Sequence, residues 1–264
     1  MQNWKFTLTY DGTAYHGWQV QPGIETIQGE LQSALRRVLG AASGEMPLPQ
    51  GSGRTDAGVH ALGQVASVML EAPIPAENLQ RALNRTLPPA IRILRAEPVP
   101  QDFHARHSAI GKTYEYRIFR GSLCSPFLAR YVHLCVWNLD LAILQQAAQQ
   151  VIGEHDFTSL AASDPDMSSR AEEDEAAADS NVRAIFSSEW REEPGDLLIY
   201  HVRGNGFLHH MVRNLVGTML EIARGHFPAD AMPKILAAQT RSAAGPTAPA
   251  RGLFLHSVEY PPGA

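Results

Sequence analysis

In the run Gly51-Ser52-Gly53-Arg54-Thr55-Asp56-Ala57-Gly58-Val59-His60-Ala61, a carboxylate follows a guanidinium by two residues, and glycines flank the pair on both sides. Glycine permits backbone angles and close approaches that a Cβ forbids. A loop of this kind, anchored to a rigid element, holds a reactive group still. A nearby cation keeps a carboxylate ionised, and a guanidinium also grips phosphate. An ionised Asp so held is a candidate nucleophile. The same Asp beside glycine is equally ordinary turn chemistry, with the side chain capping its own backbone. Asp56 is therefore the candidate catalytic group, and Arg54 its companion.

The elements that must carry this loop are legible from hydrophobic spacing. Trp4, Phe6, Leu8 and Tyr10 alternate with Lys5, Thr7 and Thr9, the period of a half-buried strand. Residues 26–39 place Ile27, Leu31, Ala34, Leu35 and Val38 at helical spacing before Gly40. Residues 64–70 read as a strand, a helix starts at Pro75 with Leu79 and Leu83 on its buried face, and residues 91–97 read as a strand. Further strands are expected at 113–119, with Tyr114 and Tyr116 on one face, and at 132–136, and a helix at 139–152. Residues 182–190 and 197–202 flank a Pro194-Gly195-Asp196 turn and read as a hairpin. A helix over 207–224 buries Leu208, Met211, Leu215, Met219 and Ile222 and leaves Arg213 off that stripe. Helix 231–238 and a last strand at 253–258 complete the chain. Strands and helices mix in both halves without regular βαβ repetition, which predicts an α+β fold. In the loop after the first strand Trp18 is expected in the core, although a surface for stacking RNA bases uses the same residue types.

The 264 residues, 44% hydrophobic and 19% charged, suit a soluble chain of one large or two smaller domains. No stretch is long and apolar enough to span a membrane, and the start lacks a signal-peptide pattern, so a cytoplasmic location is expected. Two cysteines, Cys124 and Cys135, form neither a disulfide framework nor a zinc pattern. His209 and His210, placed on the helix, would point in different directions and chelate poorly, so no metal is expected. The net charge of −5 is concentrated at residues 163–181, which hold seven acids against Arg170, leaving 21 basic and 20 acidic residues elsewhere. That stretch has too little apolar surface to order itself and reads as a mobile insertion. Residues 103–130 carry Arg106, Lys112, Arg117, Arg120 and Arg130 against Glu115 alone, a candidate basic surface.

The glycine loop resembles the signature of the tRNA pseudouridine synthases of the TruA family. Asp102-Phe103-His104-Ala105-Arg106, Lys112-Thr113-Tyr114-Glu115-Tyr116-Arg117-Ile118, Asn205 to Asn214, and Arg251-Gly252-Leu253 resemble the family's later blocks in the same order. The resemblance implies two mixed α/β subdomains of ferredoxin-like type, with antiparallel sheets joined into one catalytic unit and an active-site cleft between them. The subdomains are expected at 1–104, with the Asp loop, and 105–264, with the acidic insertion. It further implies a homodimer that isomerises uridine to pseudouridine at nucleotides 38, 39 and 40 of the tRNA anticodon stem-loop, with no cofactor. By the same resemblance Asp56 is the nucleophile, Arg213 its counter-ion, and Tyr114 lies against the uracil ring. Arg54 contacts RNA and helps the target base leave the stack, and Leu253 packs on the base. Arg106 and Lys112 are candidate phosphate contacts, which position RNA without reading sequence.

Two other readings stay open at this point. A glycosidic-bond hydrolase also attacks C1′ of a nucleoside, but generally needs two cooperating carboxylates, and near the loop only Asp11 is available as a second. In a non-catalytic RNA-binding module, Asp56 would only shape a turn. A dinucleotide site is disfavoured because Gly51-Ser52-Gly53 is followed by Asp56 where a third glycine is required.

Overall fold

The computed structural model describes residues 1–40, 46–163 and 180–263. Apart from its edge residues, the acidic stretch expected at 163–181 lies outside the described residues. The chain forms two compact units, Met1–Thr113 with Leu253–Ala264, and Tyr114–Gly252.

The first unit is built on β1 (Gln2–Tyr10), which buries Phe6, Leu8 and Tyr10 and leaves Lys5, Thr7 and Thr9 half-buried, as the alternation predicts. Helix α1 (Ile27–Leu39) starts where the Thr26 hydroxyl accepts the Gly29 N–H at 3.3 Å, and stops at Gly40, whose φ of 82° suits glycine. Ile27, Leu31 and Leu35 are fully buried, and each such side chain contributes about 1.5–3 kcal/mol of transfer free energy. Strand β2 (Gln50–Gly51) pairs with β3 (His60–Leu70), and α2 (Ala76–Thr86) buries Leu79 and Leu83. Strand β4 (Ile91–Val99) runs on through Pro98, beyond the expected end at residue 97. It lies at the margin of the order β4-β1-β3, where a proline can leave its missing N–H on the outer side. The last strand, β10 (Leu253–Glu259), returns to this unit and pairs with β3 in parallel, Phe254 opposite His60 and Leu255 opposite Ala61. Trp18 is 1% exposed, so it belongs to the core and offers no stacking surface.

Strand β5 (Gly111–Phe119) enters the second unit, where it lies next in order to β9 (Leu197–Gly204), β8 (Val182–Glu193) and β7 (Gly153–Asp156). The expected hairpin is β8 and β9, turned by Gly195 (φ 82°) and Asp196 (φ 60°). Strand β6 (His133–Leu134) pairs with β5 in parallel. β3 with β10 and β5 with β6 pair in parallel, whereas β1 with β3 and β4, β2 with β3, β7 with β8 and β8 with β9 pair antiparallel. Helix α3 (Leu141–Gln149) is shorter than expected because Asp140 caps it, its carboxylate accepting the N–H groups of Ala142 and Ile143 at 2.9 and 3.2 Å. Gly153, expected only as a helix stop, opens β7.

Helix α4 (Met211–Ala223) differs from expectation in two ways. It starts four residues late, because His210 adopts the left-handed region (φ 58°), where a right-handed helix cannot pass. His209 and His210 therefore precede the helix, and their rings do not diverge: the centroids are 3.9 Å apart at 33°. In place of a single stripe, every residue of α4 except Arg213 is buried. Helix α5 (Ala231–Ala238) has the expected bounds.

Among the described residues, no helix is long and apolar enough to cross a membrane.

Candidate active site

The loop that carries Asp56 is held by backbone contacts along its length. Before it, Gly51 lies against the Trp18 indole so closely that a Cβ would come 2.6 Å from Cε2. The Ser52 N–H donates to the Val65 carbonyl at 2.7 Å, continuing the β2–β3 pairing. At the centre, the Trp18 N–H donates to the Thr55 carbonyl at 3.0 Å. Gly17 makes this approach possible: its φ is +88°, and a Cβ there would lie 2.5 Å from the Thr55 oxygen. After Asp56, the Val59 N–H donates to the Asp56 carbonyl at 3.1 Å, with Gly58 at φ +76° in the third position of the turn. A type II turn requires that positive φ. The Asp56 and Arg54 side chains are half-buried on this fixed backbone.

Lys112 comes to the same loop. Its Nζ donates to the Ser52 carbonyl at 2.6 Å and would meet a Cβ on Gly53 at 3.3 Å. Beneath the loop, the Tyr10 hydroxyl is hydrogen-bonded to Thr55 Oγ1 at 2.8 Å. Burial pushes the Tyr10 hydroxyl up to about 12, so it stays protonated through the neutral range. Asp11, which the sequence offers a hydrolase as second carboxylate, is already engaged: its Oδ1 accepts the Thr13 N–H at 3.0 Å and the Thr13 hydroxyl at 2.5 Å. This is local turn chemistry.

Arg106 and Leu253 also belong to the first unit. Arg106 follows the buried Phe103 and Ala105, and its N–H donates to His104 Nδ1 at 3.1 Å. Ala105 is held from both sides, its N–H on the Ser67 hydroxyl at 3.0 Å and its carbonyl on the Tyr260 hydroxyl at 2.7 Å. Leu253 is buried at the start of β10, and the next residue, Phe254, stacks on His60 at 4.7 Å.

In the second unit, Tyr114 is buried, with its ring edge-on to Phe207 at 5.0 Å. Tyr116 is fully buried, and its hydroxyl donates to the Pro249 carbonyl at 2.8 Å. Burial raises that hydroxyl well above the ordinary tyrosine range, against smaller opposing effects of Arg213 and Arg251. His133, 3.3 Å from the Tyr116 hydroxyl, is pushed down to about 4, mainly by burial and secondly by Arg251. Arg213 Nε donates to the Ala248 carbonyl at 2.7 Å, and the Ala248 N–H donates back to the Arg213 carbonyl at 3.1 Å. The segment with Ala248 lies directly on α4, where a Cβ on Gly217 would come 1.7 Å from the Pro246 oxygen. Asn214, fully buried beside Arg213, donates to the Leu160 carbonyl at 2.8 Å and accepts from the Thr247 hydroxyl at 2.6 Å.

Sequence reasoning missed Gln64, Asn214, Gly217 and the 246–249 segment. For the two amides a signal existed: each is a polar side chain within an otherwise apolar buried run, and such a group is costly unless fully hydrogen-bonded.

A carboxylate on a glycine-held loop, within a mixed strand and helix frame, defines the class of centre that similarity to known proteins makes particular. A family model described as tRNA pseudouridine synthase matches residues 7–108 and 147–261, and the chain belongs to that family. It is 52% identical over 260 residues to the tRNA pseudouridine synthase A of Solibacter usitatus (strain Ellin6076), covering 98% of this chain and all of that protein. The enzyme of the same name from Lacticaseibacillus casei (strain BL23) is 43% identical over 261 residues, covering 98% of this chain and all of the relative. The Bordetella petrii protein is 42% identical over 255 residues, covering 97% of this chain and 90% of its own length. The family match includes Arg54, Asp56, Arg106, Arg213 and Leu253, whereas Lys112 and Tyr114 fall between the matched segments.

Proposed function

We propose that this chain isomerises uridine to pseudouridine at nucleotides 38, 39 and 40 of the tRNA anticodon stem-loop, with the Asp56 carboxylate as nucleophile. The observation that carries this reading is the loop itself, in which Asp56 rides on a backbone fixed at Ser52, Thr55 and Val59, within a family match that includes it. The reaction breaks the bond from ribose C1′ to uracil N1, turns the base, joins C1′ to C5, releases the C5 proton and places a proton on N1, so that the product is an isomer of the substrate. Nothing is oxidised or reduced, and no group enters from outside. A carboxylate nucleophile divides the change into two easier steps, and attack at C1′ or at C6 both suit the same side chain.

In this reading Arg213 supplies positive charge during the reaction, Tyr114 lies against the base and assists proton loss from C5, and Leu253 packs on the ring. Arg54 contacts the RNA and helps the target base leave the stack, and Arg106 contacts a phosphate. Extruding a base from its stack costs about a few kcal/mol, least beside a loop where fewer contacts are lost. Lys112, taken from sequence as a phosphate contact, is better supported as a brace of the catalytic loop, since its ammonium sits on the Ser52 carbonyl. The engagement of Asp11 by Thr13 disfavours the hydrolase reading, which needs a second free carboxylate. The protein acts as a homodimer in the cytoplasm, without metal or added cofactor.

The test uses unmodified tRNA tritiated at uracil C5, with wild type and Asp56→Asn, in chelator and without cofactors. Tritium release by the wild type alone, with an intact RNA chain and no free uracil, is the expected result. Release of free uracil would establish the hydrolase in its place. Retained tRNA binding with no release by either protein would make Asp56 a turn residue. Sedimentation of the purified protein at assay concentration checks the dimer.

A further inference from the structure

Gln64 sits in β3 among buried residues and is itself fully buried. An apolar side chain would satisfy the core at that position, because burying a carboxamide is unfavourable unless every polar atom finds a partner. Here each atom does. The Nε2 group donates to the Gly53 carbonyl at 2.9 Å and to the Tyr10 hydroxyl at 3.4 Å. Oε1 accepts from the Ser52 hydroxyl at 2.6 Å and from the Val65 N–H at 3.1 Å. The Val65 N–H can only donate and the Gly53 carbonyl can only accept, so the amide has one satisfactory orientation.

We propose that Gln64 is a positioning residue for the reaction: its buried carboxamide fixes residues 52–55 and so holds the Asp56 carboxylate in its reactive orientation. The inference rests on the reading of Asp56 as nucleophile. Three anchor points converge on this amide. Ser52 is held through its hydroxyl, Gly53 through its carbonyl, and Thr55 through Tyr10, whose hydroxyl accepts from Gln64 and shares a hydrogen bond with Thr55 Oγ1. Lys112 closes the arrangement from the other side on the Ser52 carbonyl. Contacts on both sides of Arg54 leave the backbone before Asp56 little freedom to drift. Small misplacement of a reacting group is expensive in rate, because catalysis depends on a narrow approach geometry.

The experiment compares wild type, Gln64→Leu, Gln64→Glu and Asp56→Asn in the C5 tritium-release assay on tRNA, with hydrogen exchange of peptides spanning 51–60 and tRNA binding measured on the same samples. Gln64→Leu is expected to lower kcat on the order of 10–100-fold, with KM and tRNA affinity unchanged and with faster exchange in the loop. Gln64→Glu is expected to regain activity relative to wild type as pH falls, because a protonated carboxyl can again donate to the Gly53 carbonyl. A folded Gln64→Leu with wild-type kcat and wild-type loop exchange would overturn the inference. So would a kcat loss that vanishes on cooling well below the melting point, since it would then reflect stability alone. If Asp56→Asn is fully active, the nucleophile reading falls by itself, and loop exchange in Gln64→Leu still decides whether Gln64 holds residues 52–55.

Discussion

Arg213 and Ala248 exchange two hydrogen bonds, backbone N–H to carbonyl in one direction at 3.1 Å and Nε–H to carbonyl in the other at 2.7 Å. The guanidinium thus spends one edge on a fixed backbone carbonyl and keeps its remaining donors for other partners. Helix α4 is otherwise buried, so the direction of this one side chain is set by what packs on the helix. Arg213→Lys keeps the charge but loses the planar fork that serves both tasks at once. We expect kcat to fall on the order of 100-fold, in the range seen when one preorganised donor is removed from a reacting centre. Single-turnover tritium release with saturating tRNA measures it, and a lysine variant with wild-type kcat would remove Arg213 from the reaction.

Gly17→Ala addresses the loop from its other neighbour. The new Cβ would lie 2.5 Å from the Thr55 oxygen on a residue with φ +88°, so backbone must move on one side or the other. The expected stability loss exceeds about 1 kcal/mol, the scale of an alanine forced into positive φ. Urea unfolding measures it, and kcat should fall further than the folded fraction does, because Thr55 adjoins Asp56.

Arg106→Ala is expected to weaken tRNA binding and to flatten the slope of log K against log salt by about one unit, as loss of one phosphate contact should. The backbone around it is fixed by the bond from its N–H to His104 Nδ1 and by the buried Phe103 and Ala105, so truncating the side chain leaves the fold intact. An unchanged slope in filter binding over a salt series would remove Arg106 from the phosphate contacts.

His133 gives the protein an acid-sensitive element. Burial, and secondly Arg251, hold the folded imidazole at about 4 against its ordinary 6.5. In that window the unfolded chain binds the proton and the folded chain does not, so stability is fully present above about 6.5 and falls as pH drops toward 4. His133→Gln, which carries no titrating group, should lose less stability than wild type across the same window in urea titrations. An identical acid loss in both proteins would assign it to other groups.

Much of the frame was legible because it depends on local spacing. Helices α1 and α5 and the β8–β9 hairpin follow from periodicity and turn residues, and the burial of Trp18 from its residue type. The start of α4 was not, since nothing in Leu208-His209-His210 announces that His210 takes a left-handed conformation. The glycine loop was readable as a loop, with Asp56 and Arg54 as its candidate chemistry. Its supports were not, because Tyr10, Gly17 and Lys112 reach it from distant parts of the chain and Gln64 from inside the next strand. Each of those residues has a bland local reading, and only the fold brings them together. Lys112 is one such case: its charge suggested RNA, and its ammonium also reaches a main-chain carbonyl of the loop.

Strand β10 pairs with β3 at His60 and Ala61, immediately after the Asp56 loop, although the whole second unit separates them in sequence. During synthesis the strand that carries the loop therefore emerges long before its partner does. Pairings of such wide sequence separation form late and slowly, and segments near the start of a chain fold while the rest is still being made. Completion of the sheet beside the loop thus waits until residues 253–259 have been made, after the whole second unit.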